Sequence, residues 1–125
     1  MAERALVLFD DAEAQAWMPF VLTRPAGELR FGALTQRERA ERILRAPCIG
    51  HLTAKRLMGF EEPGAAPVLD PAGLPRDRDL ILLSSRVVLS WHGQPTLPPA
   101  HPAPLMVGEE ICGWFLPAGT APPPA

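Results

Sequence analysis

The 125-residue sequence lacks most of the patterns that assign a chemistry directly. It has only two cysteines, Cys48 and Cys112, and neither belongs to a Cys-x-x-Cys or Cys/His spacing, so no zinc site is indicated. Both lie in apolar, strand-like runs and are interpreted as buried, reduced thiols. The sequence contains no G-x-G-x-x-G and no Walker loop, which excludes the two common glycine-rich phosphate-binding motifs.

Long hydrophobic runs and an excess of basic charge are also missing. The N-terminal apolar segment is too short for a signal peptide, and no run approaches the roughly 20 apolar residues of a membrane span. With a net charge of -2, the chain has no electrostatic footprint for nucleic acid. These features predict a soluble, cytoplasmic protein whose partners include neither nucleic acid nor membrane.

The three histidines do not assemble into a catalytic or metal-binding group at the level of sequence. His51, His92 and His101 are far apart, and two of them lie in proline-rich loops. His51 follows a glycine and is interpreted as a structural residue. No catalytic residue is therefore assigned from the sequence.

The elements that are present predict a small α/β domain. The unbroken apolar run from Ala5 to Phe9 is typical of a strand buried on both faces of a parallel sheet. Asp10 and Asp11 follow it, where they are candidate metal or ligand residues or, alternatively, turn formers. Further strands are predicted over 48–52, over 79–91 with a bend at 84–85, and as a C-terminal β-hairpin of 105–107 with 111–116. The order favours a small mixed, mostly parallel sheet with flanking helices.

Helix boundaries are most clearly marked after residue 34. Thr35 and Glu38 form a capping box, which predicts a helix over 36–45. Thr53 is expected to cap a short second helix over 54–60. The loop that follows, 61–79, is rich in proline and glycine and is not predicted to take part in function.

Between the first strand and the capped helix lies the best candidate binding segment, TRPAGELRFGALTQRE. Arg24 and Arg30 precede a helix N-terminus, which attracts anions, and each arginine can form bidentate hydrogen bonds to phosphate oxygens. Gly27 and Gly32 would permit close backbone approach. The segment predicts a phosphate or nucleotide site. The alternative is that the two arginines hold the loop in place through ion pairs with Glu28, Asp10 or Asp11.

Two sequence segments carry a resemblance to a known family. LVLFDD followed by LTRPAGELRFGALTQRERAERI resembles the N-terminal region of bacterial sugar nucleotidyltransferases. These are described as alternative forms of the bifunctional N-acetylglucosamine-1-phosphate uridyltransferase/glucosamine-1-phosphate acetyltransferase. The later segments ILLSSRVVLS and PLMVGEEICGWFLPAG are similar to the following strands of that group. The likeness covers most of residues 4 to 118, and TRPxxELRxGxLTxRE is its specific part.

The resemblance implies a nucleotide-diphosphate-sugar transferase-like, partly Rossmann-like fold and transfer of a nucleotidyl group to a sugar 1-phosphate. In that chemistry Mg²⁺ and basic side chains offset charge on the phosphates. By position, Arg24, Arg30, Gly27 and Gly32 would contact the nucleotide phosphates, with Lys55 as a weaker candidate. The implied partners are a nucleotide or nucleotide sugar such as UDP-N-acetylglucosamine, and a β-helix acyltransferase domain or subunit.

The sequence also departs from that family. The glycine-rich turn ending in Gly-Thr-Arg after the first strand is absent, and FDD stands in its place. We expect residues 1–118 to form an incomplete N-terminal nucleotidyltransferase-like domain that is not active alone, and 119–125 to be a linker or disordered tail. A fragment, a subunit completed by another chain and a degenerate member are all compatible with this expectation. The alternative function is a non-catalytic binding or assembly module that retains the fold.

Overall fold

A computed structural model describes residues 4–16, 18, 24–31, 33–87, 103–107 and 109–119. Its strands are β1 Arg4–Phe9, β2 Arg30–Phe31, β3 Leu34–Thr35, β4 Cys48–Leu52, β5 Asp79–Ser84, β6 Ala103–Val107 and β7 Glu110–Leu116. Its α-helices are α1 Ala12–Gln15 and α2 Gln36–Leu44, and single 3-10 turns cover Ala26–Glu28, Lys55–Leu57 and Pro71–Gly73.

Five of the strands form one mixed sheet in the order β4-β1-β5-β7-β6. β1 is an interior strand, second in this order, and pairs in parallel with both β4 and β5, whereas β7 pairs antiparallel with β5 and β6. β2 and β3 form a separate two-stranded ribbon that leads into α2. The predicted α/β class, the buried parallel strand and the C-terminal hairpin are confirmed.

The core is built on both faces of β1 because successive side chains of a strand point to opposite sides. Leu6 and Leu8 pack in one cluster, which α2 covers through Ala40. Ala5 and Val7 pack in the other cluster, on the opposite face. The side chains of these four consecutive residues are fully buried. This is the pattern expected for an interior strand of a sheet that is covered on both faces.

α2 begins where the sequence indicates. The Thr35 hydroxyl accepts a hydrogen bond from the Glu38 amide at 3.1 Å, and the Glu38 carboxylate accepts one from the Thr35 amide at 3.0 Å. The predicted capping box is therefore confirmed. The helix ends at Leu44, one residue before the predicted end, because Arg45 adopts a left-handed conformation with φ 53°.

The second predicted helix is wrong. Only the 3-10 turn Lys55–Leu57 forms in 54–60, and Ala54 precedes it without a side-chain cap. The Thr53 side chain is instead directed toward Asp10, whose Oδ2 accepts a hydrogen bond from its hydroxyl at 2.6 Å. Strand β5 ends at Ser84, where the predicted bend begins, and the remainder of its predicted range beyond residue 87 lies outside the described residues.

Both cysteines are free thiols and are partly rather than fully buried. Burial raises the pKa of the Cys48 thiol to about 12, because its surroundings disfavour the thiolate. Such a thiol remains protonated at neutral pH. The reduced state predicted from the sequence agrees with the free thiols, whereas the predicted burial is only partial.

Candidate functional site

A pocket of about 440 Å³ opens between the segment from Arg24 to Glu38 and the loop from Glu62 to Ala65. This volume lies within the range of small-molecule sites, roughly 300–1,000 Å³. Its charged lining residues are three arginines and three glutamates, namely Arg24, Arg30, Arg37, Glu28, Glu38 and Glu62. The pocket is therefore polar, and what it could bind depends on which of these charges are already paired.

Arg24 and Arg30, predicted from the sequence as a phosphate-binding pair, lie in the same pocket. Arg30 is exposed and donates to the carbonyl of Ala33 at 2.9 Å, but within the described part of the chain it forms no ion pair. Arg24 forms an ion pair with Glu62 at 3.3 Å, and both side chains are more than a third exposed. The predicted alternative, pairing with Glu28, Asp10 or Asp11, is wrong because other residues occupy those three carboxylates.

The third arginine of the pocket, Arg37, is held from several sides. Its guanidinium donates to Glu28 Oε2 at 2.7 Å, to Glu41 Oε1 at 2.5 Å and to the carbonyl of Gly64 at 2.5 Å. These contacts connect α2 to both walls of the pocket. Arg37 therefore forms part of the pocket wall. Its charge is already paired with Glu28 and Glu41, so it is not free to bind an anionic ligand.

Glu28 is the buried counterpart of Arg37. Its Oε2 also lies 2.7 Å from Nε2 of His51 and accepts from the Ala66 amide at 2.9 Å. Burial alone would raise the pKa of Glu28, but the hydrogen bonds from His51, Ala66 and Arg37 outweigh it and leave the pKa below its ordinary value. The ionised carboxylate thus ties together three segments around the pocket.

The glycines and Lys55 predicted at the site have different surroundings. A Cβ at Gly27 would lie 2.8 Å from both His51 Cε1 and Leu8 Cδ1, so the close approach at this glycine is to the sheet. Gly32 lies outside the described residues. Lys55 is exposed in its 3-10 turn and is not a lining residue of the pocket.

The N-terminus of α2 reaches the pocket through Thr35 and Glu38, but its first amides are occupied. The amides of Thr35 and Glu38 are used by the capping box, and the amide of Gln36 donates to the carbonyl of Leu29 at 2.9 Å. An anion in the pocket would therefore depend on the arginines more than on backbone amides, in contrast to the sequence prediction.

Asp10 occupies the carboxyl end of β1, where it joins neighbouring strands. It is 6% exposed and accepts from the Ser85 hydroxyl at 2.5 Å, the Thr53 hydroxyl at 2.6 Å and the Ala26 amide at 3.0 Å. Ser85 follows β5, Thr53 follows β4, and Ala26 begins the 3-10 turn beside the pocket. Asp10 therefore links the ends of β1, β4 and β5 to one another and to the binding segment.

Asp11 has a separate structural role. It caps α1 by accepting from the Ala14 amide at 2.9 Å, and it forms an ion pair with Arg86 at 2.7 Å. Partial burial would raise the pKa of Asp11, but the hydrogen bonds from Arg86 and Ala14 outweigh it and lower the pKa. Both carboxylates are thus occupied by protein donors.

No group of three or more potential metal ligands occurs in the part of the chain that the structure describes. Asp10 and Asp11 already accept hydrogen bonds from several protein groups, and a Mg²⁺ ion would have to replace some of these donors to reach their carboxylate oxygens. Their metal role stays a prediction.

Sequence reasoning missed Arg37 and the loop from Glu62 to Ala65 as parts of the site. Arg37 stands four residues before Glu41 in α2, a spacing that could have indicated their ion pair. The loop carries no such local signal, because its place in the pocket depends on contacts with Arg24, Glu28 and Arg37.

The chain was compared with protein families, curated proteins and solved structures. A family model described as sugar nucleotidyl transferase matches residues 6–111, which includes both walls of the pocket. No curated protein and no solved structure matches the chain. Among the described residues, no helix is long and apolar enough to cross a membrane.

Proposed function

The chain belongs to the sugar nucleotidyl transferase family, and we propose that its pocket binds the phosphates of a nucleotide or nucleotide sugar. The 3-10 turn that lines the pocket through Glu28 is joined to the carboxyl end of β1 by the hydrogen bond from the Ala26 amide to Asp10. Open α/β sheets bind ligands at that edge. The segment with the specific family resemblance, from Arg24 to Glu38, forms one of its walls.

The observation that carries this proposal is the state of Arg30. Arg30 lines the pocket, and none of the ion pairs of the described chain involves it, although its charge helps to lower the pKa of Glu38 in the same pocket. A planar guanidinium in this state offers paired donors to phosphate oxygens. Arg24 lies in the same pocket and is held by one partly exposed ion pair, so a second cation is within reach of the same ligand.

The proposed reaction is nucleotidyl transfer to a sugar 1-phosphate, with this chain as the N-terminal nucleotide-binding part. Arg24 and Arg30 would hold phosphate groups in position and offset their negative charge. Glu28 and Arg37 would keep the two walls of the pocket at a fixed separation. The phosphate of the sugar would attack the α-phosphorus and pyrophosphate would leave, so the protein has to supply charge and a metal site. We propose that this domain is not active alone, because Asp10 and Asp11 are occupied by protein donors and the described residues hold no cluster of three metal ligands.

A second candidate function is a binding or assembly module without catalysis. It is favoured by the occupied state of Asp10 and Asp11 and by the replacement of the glycine-rich turn by FDD. A release assay for pyrophosphate, with UTP and N-acetylglucosamine 1-phosphate, separates the two functions. Release of pyrophosphate by this chain together with its partner domain supports the nucleotidyltransferase function. Nucleotide binding without pyrophosphate release, with or without the partner domain, supports the non-catalytic binding module.

Isothermal titration calorimetry with UTP and UDP-N-acetylglucosamine, with and without Mg²⁺, tests the binding itself. We expect dissociation constants on the order of micromolar for the unmodified chain. Arg30→Ala should weaken binding by about 10-fold or more, because a charge-assisted hydrogen bond contributes about 1.5–3 kcal/mol. Arg42→Ala is the matched control, since Arg42 is an exposed arginine in α2 that does not line the pocket. Absence of binding to any nucleotide would overturn the proposal.

A further inference from the structure

The pocket loop from Glu62 to Ala65, together with the next residue Ala66, is attached to the rest of the domain at three points. Gly64 accepts from Arg37 at 2.5 Å, and the Ala66 amide donates to the buried Glu28 at 2.9 Å. At the third point the Glu62 carboxylate lies 3.3 Å from Arg24. All three points connect this loop to the opposite wall of the pocket.

The three attachments differ in how easily water or a ligand can replace them. Glu28 is 4% exposed, and its contact with Ala66 has no access to competing water. The side chains of Arg24 and Glu62 are 39% and 38% exposed, and their atoms are farther apart than in the pairs formed by Arg37. A partly exposed ion pair of this kind adds little stability and exchanges readily. The Arg24–Glu62 contact is therefore the attachment that a ligand can replace.

We propose that Glu62 is a specificity-determining residue that occupies Arg24 until a ligand carrying a phosphate displaces it. This inference rests on the phosphate-binding part of the proposed function. A diphosphate group carries more charge and more acceptor oxygens than one carboxylate, so it competes effectively for the guanidinium. A ligand with a single carboxylate offers nothing that Glu62 does not already supply, so it is disfavoured. Glu62 thereby selects for polyphosphate over weaker anions.

Displacement leaves the rest of the loop in place. The Gly64 and Ala66 contacts do not involve Arg24, so they remain when Glu62 moves away. The local change is then confined to the Glu62 side chain and its neighbouring backbone. Replacing Glu62 by glutamine keeps its size and removes the competing charge.

A double-mutant cycle with inorganic pyrophosphate as the probe tests the proposal. Glu62→Gln should bind pyrophosphate about 1.4- to 5-fold more tightly than the unmodified chain, which corresponds to the range of about 0.2–1 kcal/mol for exposed ion pairs. In an Arg24→Ala background the same substitution should have no effect. Glu61→Gln is the matched control, because Glu61 is an adjacent exposed carboxylate that does not line the pocket, and it should change affinity less than Glu62→Gln.

The proposal is overturned by any of three results: equal effects of the two glutamine variants, a gain at Glu62 that persists without Arg24, or no pyrophosphate binding by any variant. A parallel titration with UTP distinguishes failure of the nucleotide assignment from failure of this inference. Pyrophosphate binding with the expected cycle but without UTP binding overturns only the nucleotide assignment. UTP binding that is the same in Glu62→Gln and in the unmodified chain overturns only the role of Glu62.

Discussion

Glu28 Oε2 lies 2.7 Å from Nε2 of His51, and both side chains are buried. This contact joins the 3-10 turn of the binding segment to strand β4. Because the same oxygen also accepts from Arg37 and Ala66, one carboxylate fixes the relative positions of the turn, the sheet, α2 and the pocket loop. The shape of the pocket therefore depends on a residue that is itself almost inaccessible to solvent.

Removal of the Glu28 carboxylate should be strongly destabilising. Glu28→Ala leaves His51 and Arg37 without their shared partner, and breaking a buried charged contact of this kind lowers the free energy of unfolding by about 3–5 kcal/mol. Urea denaturation measures the loss. Glu61 is an exposed glutamate next to the pocket loop, so Glu61→Ala should change the free energy of unfolding by less than about 0.5 kcal/mol. Equal effects of the two variants would contradict the role assigned to Glu28.

Glu28 should also make the stability of the domain depend on acid pH. Its pKa in the folded protein is below the ordinary value of 4.5, so its contribution is fully present above about pH 4.5. The contribution is lost as the pH falls through the lower pKa of the folded state. Urea midpoints measured from pH 7 to pH 3 should decline less steeply for Glu28→Gln than for the unmodified chain. Parallel declines would rule out linkage through Glu28.

Asp10→Asn should weaken the junction of the three strand ends. Asp10 accepts from three protein donors, and an asparagine amide would present hydrogen atoms to one or more of them. We expect a loss of about 2 kcal/mol or more in the free energy of unfolding. Asp77→Asn, at a carboxylate that is 76% exposed, is the control and should be near neutral. Retention of full stability by Asp10→Asn would show that the hydroxyls of Thr53 and Ser85 reorient without loss.

The features that could be predicted from the sequence are those set by neighbouring residues. The capping box joins Thr35 to Glu38 across three positions, and the apolar run of β1 indicates its burial without reference to any partner. Arg24 and Arg30 are close in sequence, but the sequence does not determine how their side chains are oriented; the structure places both in the lining of one pocket.

The remainder of the site depends on contacts between distant positions. Asp10 meets Ala26, Thr53 and Ser85 at separations of 16, 43 and 75 residues. The Thr53 hydroxyl is directed toward Asp10, and the 3-10 turn that follows has no side-chain cap. A hydroxyl or carboxylate is chemically suited to several partners, and only the folded chain determines which one lies within reach.

Gly27→Ala tests whether this glycine serves the packing of the turn on the sheet. The added Cβ would lie 2.8 Å from His51 Cε1 and Leu8 Cδ1, so we expect destabilisation of about 1–3 kcal/mol from overpacking. Gly73→Ala is the matched control, because its Cβ would have no heavy atom within 4 Å. Thermal melts of the two variants should differ clearly. Equal melting temperatures would mean that the backbone of the turn shifts to accept the methyl group.

The central claim is that a nucleotide phosphate occupies the pocket between the Arg24–Glu38 segment and the loop from Glu62 to Ala65. Amide chemical-shift mapping by NMR, with UTP titrated into the ¹⁵N-labelled chain, tests it most directly. The account predicts saturable shifts concentrated in those two segments, and their loss in Arg30→Ala but not in Arg42→Ala. Shifts centred elsewhere in the domain, or a spectrum unchanged by UTP, would contradict it.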